Sequence, residues 1–317
     1  MELQQDRIVV EKFDKYWDAA NVHIGRIVYR PINDSTVRLA NLKSGQLDLI
    51  ERALATDVAD IKATPNLKLA NVTELGYQGI TLNVANGDAA KGPLGQDARV
   101  RQALELSIDR DAINQVVFNG LFTPGNQWVS PDNQWYSKAM PLPKRDVAKA
   151  KKLLADAGVK TPVTVDFMLP NNPEVRQVGE VIQAMAAEAG FDMKIRVVEF
   201  ATGLSEAEQG RYQAFMLAWS GRPDPDGNIY SFAKTGGPLN YGKYSNKDVD
   251  AALDEARTAT TQEARKAAYD KVAKAWLTDG SVLYLYHRAV LIAHTDKLQG
   301  YTQMPDGLVR VVGLKLN

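Results

Sequence analysis

The segment spanning residues 163–197 constrains the fold more than any other part of the chain, because the spacing of its apolar residues changes twice. Apolar residues alternate with other residues over 163–169, which is the period-two pattern of a strand. They then recur at helical spacing over 174–189, where Gly190 ends the pattern, and alternate again over 193–197. A strand, a helix and a second strand in this order predict a βαβ unit with parallel strands and a right-handed crossover.

Similar patterns continue on both sides of this unit and predict a mixed α/β fold. Residues 122–143 contain four prolines and two tryptophans with little periodicity, so we expect an extended loop, and loops of that length are usually functional or disordered. Ser245 and Asp248 have the spacing of a capping box and are expected to open a helix. Further strands are predicted at 7–13, 27–29, 47–50, 77–84 and 281–288, and further helices at 34–45, 98–105, 109–120, 146–157, 245–256 and 261–277.

The composition excludes several classes of function. The chain has 317 residues, with 38 Lys and Arg against 38 Asp and Glu, so no net field attracts nucleic acid or an anionic membrane. It has no cysteine, which excludes disulfides, thiolate nucleophiles and cysteine-held metals. No apolar stretch approaches the length of a membrane span.

The sequence also lacks the familiar catalytic motifs. His23, His287 and His294 do not have the spacing of metal ligands, and no nucleophile elbow, P-loop or dinucleotide fingerprint occurs. We therefore expect a protein that is not an enzyme and that needs neither a cofactor nor a metal. The acids Asp224 and Asp226 leave one alternative open, a hydrolase acting on a peptide or a glycan.

Residues 219–228 follow an apolar run at 214–218 that predicts a short buried strand. Small ligands bind beyond the carboxyl ends of strands in open α/β sheets, so this segment is the best candidate for a ligand-binding rim. Pro, Asp, Gly and Asn are also the ordinary residues of tight turns, and a plain turn remains an alternative. The acids begin like a calcium loop, but the Gly and the final Glu of such a loop are missing. The candidate rim residues are Trp219, Gly221, Arg222, Asp224 and Asp226.

Five segments together carry a family pattern. Residues 100–110 are similar to V-R-x-A-L-x-x-A-I-D-R, and residues 148–158 to A-K-x-L-L-x-E-A-G. Residues 181–190 resemble the helix I-Q-x-x-x-x-x-x-G, residues 218–221 resemble G-W-x-G/A, and residues 244–246 fit the segment after it. In this order the segments resemble the dipeptide- and oligopeptide-binding proteins of ABC importers, solute-binding family 5, and the resemblance covers the whole chain.

The resemblance implies two α/β lobes joined by a hinge, with a periplasmic-binding-protein-like type II lobe built on a mixed sheet. It assigns residues 79–289 to the second, C-terminal ligand-binding lobe, and residues 1–78 and 290–317 to segments of the first lobe. Only the C-terminal portion of a full family member is matched, so we expect a truncated chain whose first-lobe segments lack sheet partners. Exposed strand edges and apolar faces there are expected to promote self-association.

The resemblance also implies where such a protein works. Family members capture a small molecule or a peptide in a cleft between the lobes and hand it to an ABC permease, so a periplasmic location is expected. Residues 1–6 have neither the basic nor the apolar region of a signal peptide, and any export signal is expected to be removed or to lie upstream. A chaperone-like protein that presents the cleft to unfolded peptides is a further alternative.

Two positions depart from the pattern of dipeptide binders. The Asp that serves such proteins as counter-ion for the ligand ammonium is Arg222 here, and the Arg that holds the ligand carboxylate is Leu169. A buried charge without a partner is costly, so the resemblance favours an anionic or polyhydroxylated solute, or a modified peptide, over a free dipeptide. The alternative is that Asp224 or Asp226 takes the ammonium role after a small shift of the loop.

Four more residues flank the two places where the chain is expected to pass between the lobes. Tyr77 and Gln78 lie at the first crossing, and Tyr286 and His287 lie at the second. Strands next to the hinge line the ligand site in such proteins, so all four are candidate ligand contacts, with a packing role as the alternative. Trp219 is expected to stack on the ligand.

Overall fold

The computed structural model of the chain describes residues 2–4 and 6–317, and the side chains from residue 6 onwards. Met1 and Gln5, which belong to the N-terminal segment considered above for a signal peptide, lie outside the described residues. The chain divides into two units. Unit 1 comprises Met1–Glu74 and Ala289–Asn317, and unit 2 comprises Leu75–Arg288.

Strands and helices both occur throughout the described residues. Over the described ranges the strands are β1 (Glu2–Gln4), β2 (Arg7–Glu11), β3 (Arg26–Tyr29), β4 (Leu49–Glu51), β5 (Leu67–Thr73), β6 (Tyr77–Leu82), β7 (Thr123–Pro124), β8 (Val163–Pro170), β9 (Phe191–Val198), β10 (Ala214–Trp219), β11 (Val282–His287), β12 (Ala289–Thr295), β13 (Leu298–Gln299) and β14 (Lys315–Leu316). The α-helices are α1 (Ser35–Lys43), α2 (Val58–Ala63), α3 (Pro93–Gln96), α4 (Ala98–Ser107), α5 (Arg110–Phe118), α6 (Val147–Asp156), α7 (Pro173–Ala189), α8 (Phe200–Glu208), α9 (Asp226–Ala233), α10 (Lys247–Thr258) and α11 (Gln262–Asp279).

Unit 2 is built on a mixed sheet, which among the described residues has the order β7-β11-β6-β10-β8-β9. The strands β8 and β9 run parallel from the pair Val163 and Phe191 to the pair Pro170 and Val198. The strand β10 is parallel to β8, whereas β6 is antiparallel to both β10 and β11. The predicted βαβ unit and the predicted mixed α/β class are therefore confirmed.

Short polar side chains define where the helices begin, because they accept hydrogen bonds from the free N–H groups of the first turn. Asp109 caps α5, Asp146 caps α6, and Asn172 caps α7 just before a proline at its first position. The prediction that Ser245 opens the next helix is wrong by one residue. Asn246 is the cap of α10, and its side-chain oxygen accepts from the backbone N–H groups of residues 248 and 249.

The long proline-rich segment between α5 and α6 is part of the core of unit 2. Trp128 is fully buried and Trp135 nearly so, and both rings lie against the ring of Tyr269 on α11, at centroid distances of 6.2 and 5.7 Å. Buried aromatic side chains thus anchor a segment that has little regular structure of its own.

Unit 1 has a smaller core. Its described residues form the sheets β1-β2-β3, β4-β12-β5 and β13-β14. Leu42, Ile50 and Ile61 pack with Leu291 and Ala293 of β12 in one apolar cluster. Large apolar side chains remain exposed on β2, on β3 and in the loop between them, namely Ile8, Phe13, Trp17, Val28 and Tyr29. Within residues 2–4 and 6–317, no helix has the length and apolarity needed to cross a membrane.

Candidate functional site

The candidate site lies along one end of the strands of the unit 2 sheet, at the edge where the inner strand β10 ends. Trp219, the last residue of β10, lies opposite Tyr77, the first residue of β6. On the other side of β6, Tyr286 of β11 lies opposite Gln78. The structure therefore brings the predicted rim and the four predicted strand-end residues to one edge of the sheet.

An indole and a guanidinium are stacked at this edge. The Cζ atom of Arg222 lies 4.5 Å from the ring centroid of Trp219, within the range of a cation–π interaction. The Arg222 Nη1 donates to the Gly221 carbonyl oxygen at 2.6 Å and to the Ser220 hydroxyl at 3.2 Å. Arg222 is exposed, and among the described residues no carboxylate forms an ion pair with it. The rim thus presents a positive charge held in place by an aromatic face and a backbone carbonyl.

Asn228, near the start of α9, connects Trp219 and Arg222 to that helix by hydrogen bonds. Its Oδ1 accepts a hydrogen bond from the Trp219 Nε1 at 3.0 Å and another from the Arg222 backbone N–H at 2.7 Å. Its Nδ2 donates to the Arg222 carbonyl oxygen at 2.9 Å. The Asn228 side chain is buried, so these bonds satisfy its own amide oxygen and nitrogen, which water does not reach. In the sequence Asn228 is only the last residue of the candidate rim, and no local pattern indicates its bonds to Trp219 and Arg222.

The rim backbone packs directly on the segment that enters β6. Gly221 has a φ of +81°, and a Cβ atom added there would lie 2.3 Å from the carbonyl carbon of Leu75. A Cβ atom added to Gly76 would lie 1.9 Å from the Trp219 carbonyl oxygen. Both positions therefore require glycine, Gly221 for its left-handed backbone and both for the close approach.

The two rim carboxylates already have cationic partners. Asp226 accepts from the Arg257 Nε at 2.8 Å and its Nη2 at 2.7 Å, and Asp224 accepts from the Arg265 Nη2 at 2.7 Å and its Nη1 at 3.1 Å. Burial alone raises the pKa of Asp224, but the hydrogen bonds from Arg265 and from the Asp226 backbone N–H outweigh it, and the pKa lies below its usual value. In the described part of the chain, no group of three His, Cys, Asp or Glu side chains is placed to hold a metal ion.

The four strand-end candidates are buried within unit 2. Tyr77 packs edge-on against Tyr284 at 4.7 Å, and burial raises its pKa well above the usual value. Tyr286 lies against Phe118 at a centroid distance of 4.8 Å. The imidazole of His287 is fully buried, and its Nδ1 lies 2.6 Å from the carbonyl oxygen of Gly76. Tyr77 and Tyr286 make aromatic contacts and His287 makes a hydrogen bond within unit 2, and Gln78 is buried with them. A ligand role for these residues remains a prediction.

Two further residues at this edge differ in their surroundings. Leu169 of β8, which the resemblance matches to a carboxylate-binding Arg, is fully buried against Gly179 of α7. Phe200, the first residue of α8, is 52% exposed although it is a large aromatic, and it follows the end of β9. Phe200 is not among the candidates predicted from the sequence, because α8 is not predicted there either. Its exposure at the same end of the sheet as the candidate rim makes it a further candidate ligand contact.

Comparisons with known proteins identify the family of the chain. The family model for bacterial extracellular solute-binding proteins, family 5 Middle, matches residues 2–240. The chain is 28% identical over 313 residues to the dipeptide-binding protein of Escherichia coli K12, covering 96% of this chain and 57% of the relative. It is 27% identical to the heme-binding protein A of Haemophilus influenzae, covering 96% of this chain and 56% of the relative.

A solved structure shows the same fold. The dipeptide-binding protein of Pseudoalteromonas sp. SM9913, determined in complex with Met-Leu, superposes with a TM-score of 0.86 at 22% identity. The superposition covers 100% of this chain and 63% of that protein. The chain thus spans less than two thirds of the length of each of these three proteins.

Proposed function

The chain belongs to the bacterial extracellular solute-binding proteins of family 5, and from this membership we propose that it binds a peptide or a related small solute and delivers it to the permease of an ABC importer. The family consists of binding proteins rather than enzymes, and relatives carry names such as dipeptide-binding protein. Solute capture without chemical conversion therefore suits the chain better than hydrolysis. We place the protein outside the cytoplasm, in the periplasm.

We further assign the two units to the lobes of such a protein. Unit 2, Leu75–Arg288, corresponds to the C-terminal ligand-binding lobe, and unit 1 corresponds to segments of the first lobe. The support for this assignment is that unit 2 holds the larger mixed sheet and the candidate rim at the carboxyl ends of its strands. Ligands of open α/β sheets lie at such edges.

The observation that carries the choice of solute is Arg222. Its guanidinium is exposed, is stacked on Trp219, and uses only Nη1 in the hydrogen bonds it makes within the described residues. The Nε and Nη2 atoms are therefore available to grip a carboxylate or a phosphate in the two-pronged geometry that a guanidinium favours. We propose that an anionic group of the solute binds there, with the Trp219 indole as an apolar platform beside it.

The charges around the rim argue against a free ammonium as the main partner. Asp224 and Asp226 are each neutralised by an arginine, at 2.7 Å in both pairs. An ammonium group that approached either carboxylate would have to displace an arginine that is already bonded to it. A solute that carries a negative charge and no positive one, such as an N-acylated peptide, therefore fits the rim better than a zwitterionic dipeptide.

Calorimetric titration with three matched ligands tests this proposal. Met-Leu carries both charges, acetyl-Met-Leu only the carboxylate, and Met-Leu-amide only the ammonium. We expect acetyl-Met-Leu to bind at least tenfold more tightly than Met-Leu-amide, and the Arg222→Ala variant to lose this preference. Arg176→Ala, which removes an exposed arginine from α7, is the matched control and should keep the preference.

Two results would contradict the proposal. One is equal binding of acetyl-Met-Leu and Met-Leu-amide, which would remove Arg222 from the ligand site. The other is the appearance of free Met and Leu by mass spectrometry during incubation with the dipeptide, which would show hydrolysis instead of capture.

A further inference from the structure

His287 is the last residue of β11, one residue before the chain leaves unit 2, and Gly76 lies just after the chain enters it. The imidazole Nδ1 lies 2.6 Å from the Gly76 carbonyl oxygen. A carbonyl oxygen only accepts hydrogen bonds, so Nδ1 carries the proton and donates it. This bond ties together the first and the last segments of unit 2, which are 211 positions apart in the sequence.

The ring of His287 has little freedom to take another position. It is fully buried, and a Cβ atom added to Gly125 would lie 2.5 Å from its Nε2. Gly125 is itself held by a backbone hydrogen bond to the Leu285 carbonyl oxygen at 3.2 Å. Burial also lowers the pKa of His287 to about 4, so the ring is neutral near pH 7 and keeps the tautomer that donates to Gly76.

Gly76 in turn supports the rim. Its backbone touches the backbone of Trp219 and Gly221 so closely that neither Gly76 nor Gly221 has room for a Cβ atom. A shift of the Gly76 carbonyl therefore has to move the rim backbone, because packed backbone cannot be compressed. The Trp219 indole and the Arg222 guanidinium are carried by that backbone.

On the basis of the proposed function, we propose that His287 is a positioning residue for solute binding. It holds the Gly76 carbonyl, and through Gly76 it fixes the place of Trp219 and Arg222 without touching the solute. The sequence predicts that His287 contacts the ligand directly. The proposed role differs, because it depends on the buried hydrogen bond from the His287 Nδ1 to the Gly76 carbonyl oxygen.

Two substitutions of His287 distinguish the effect of its hydrogen bond to Gly76 from the effect of its side-chain volume. The amide nitrogen of Asn can take the place of the imidazole Nδ1, whereas the longer side chain of Gln places its nitrogen nearer the Nε2 position. We expect His287→Gln to move the NMR signal of the Trp219 indole N–H, which Trp219→Phe identifies, and to weaken binding of acetyl-Met-Leu at least tenfold. His287→Asn should restore the indole signal and bring the affinity within about threefold of the unchanged protein.

The indole signal is read without ligand, so it decides the matter even if acetyl-Met-Leu does not bind and the proposed function fails. Gly125→Ala replaces His287→Gln in the test if that variant fails to fold. The added methyl group would press on the same ring and should also move the indole signal. Asn240→Ala, which removes a buried amide bonded to the Tyr244 backbone elsewhere in unit 2, should leave it in place. An unmoved indole signal in folded His287→Gln, or equal impairment of folded His287→Asn and His287→Gln, would overturn the inference.

Discussion

The side chain of Asn228 and the indole of Trp219 are joined by a hydrogen bond of 3.0 Å in which the indole nitrogen donates to the amide oxygen. The bond connects the end of β10 with the first turn of α9 across the whole rim. It also fixes the rotation of the indole, since a ring with one bonded edge cannot turn over. If a solute binds on Trp219 as proposed, the indole is already oriented, and the entropy cost of binding is lower.

Replacing Asn228 with alanine should loosen this arrangement. The change leaves the Trp219 Nε1, the Arg222 N–H and the Arg222 carbonyl without their partner, and we expect a loss of about 1–3 kcal/mol in the free energy of unfolding. Urea unfolding measures this loss, and titration with acetyl-Met-Leu should show weaker binding as well. Asn240→Ala is the control, because it should destabilise the chain by a similar amount and leave solute binding unchanged. Equal effects of both variants on binding would argue against a special role for Asn228.

Gly76→Ala should be strongly destabilising. The added methyl group would meet the Trp219 carbonyl oxygen at 1.9 Å, so either the entry segment or the rim has to move. We expect a cost of roughly 2 kcal/mol or more in urea unfolding, as for other overpacked sites. Gly25→Ala is the matched control, since nothing lies within 4 Å of a Cβ atom there, and it should be neutral or slightly stabilising. A Gly76→Ala protein as stable as Gly25→Ala would show that the backbone at Gly76 and Trp219 can move apart without a loss of stability.

The rim acids should contribute little to ligand choice. Arg257 and Arg265 already neutralise Asp226 and Asp224, so we expect Asp226→Asn and Asp224→Asn to change the affinity for Met-Leu-amide less than twofold. Asp254→Asn, which removes an acid paired with Lys234, serves as the control. A tenfold loss of Met-Leu-amide binding in either rim variant alone would instead assign that acid to the ligand ammonium.

The buried imidazole of His287 should make stability depend on pH. Its pKa is lowered by burial from 6.5 to about 4, so the unfolded chain takes up a proton at a higher pH than the folded chain does. The stability present above pH 6.5 is therefore lost as the pH falls towards 4, by an amount on the order of 3 kcal/mol at most.

Urea unfolding at pH 7 and pH 4.5 measures this effect as the difference between two variants. His287→Asn should lose less stability between the two pH values than the unchanged chain, because it has no imidazole to titrate. Asn240→Ala, which removes a buried amide that does not titrate, should lose as much stability between the two pH values as the unchanged chain. Parallel pH profiles for all three proteins would show that His287 does not titrate as its burial requires.

Unit 1 should cause the chain to associate with itself. Trp17 is 86% exposed and Phe13 is 66% exposed in the loop between β2 and β3, close to other exposed apolar side chains in sequence. Light scattering after size-exclusion chromatography should show a mass that rises with concentration, and the double variant Phe13→Ser and Trp17→Ser should reduce that rise. Val116→Ser, at an exposed apolar position on α5, should not. A monomer at all concentrations would contradict this prediction.

Features of the fold that depend on neighbouring residues could be predicted from the sequence. The βαβ unit was recognisable because the apolar spacing itself changes at the ends of α7, where Asn172 caps the start and Gly190 ends the helix with a φ of +102°. The position of Trp219 at the end of a buried strand was recognisable for the same reason. The cap of α10 was placed one residue too early because Ser245 and Asn246 are both good capping residues, and only geometry distinguishes them.

Features that depend on distant residues could not be predicted. Asp224 and Asp226 looked like free acids in a turn, but their partners lie 41 and 31 residues further along the chain. Helix α9 begins at Asp226, inside a segment whose Pro, Asp and Gly residues are typical of turns, since tertiary packing of Ile229 and Ala233 outweighs local preference. The buried state of His287 follows from β11 pairing with strands 160 to 210 residues earlier, which no local pattern reports.

The strands by which the chain enters and leaves unit 2, β6 and β11, are direct neighbours in the sheet. Gln78 and Tyr286 pair across them, so the two threads lie about 5 Å apart at that point. Unit 2 is thus a domain inserted into the chain of unit 1, and the insertion begins and ends on two adjacent strands. An inserted domain whose two ends are adjacent can gain insertions, be exchanged between relatives or be circularly permuted without a change in the path of the surrounding chain. Binding specificity can therefore evolve within the inserted domain while the fold of the surrounding chain is kept.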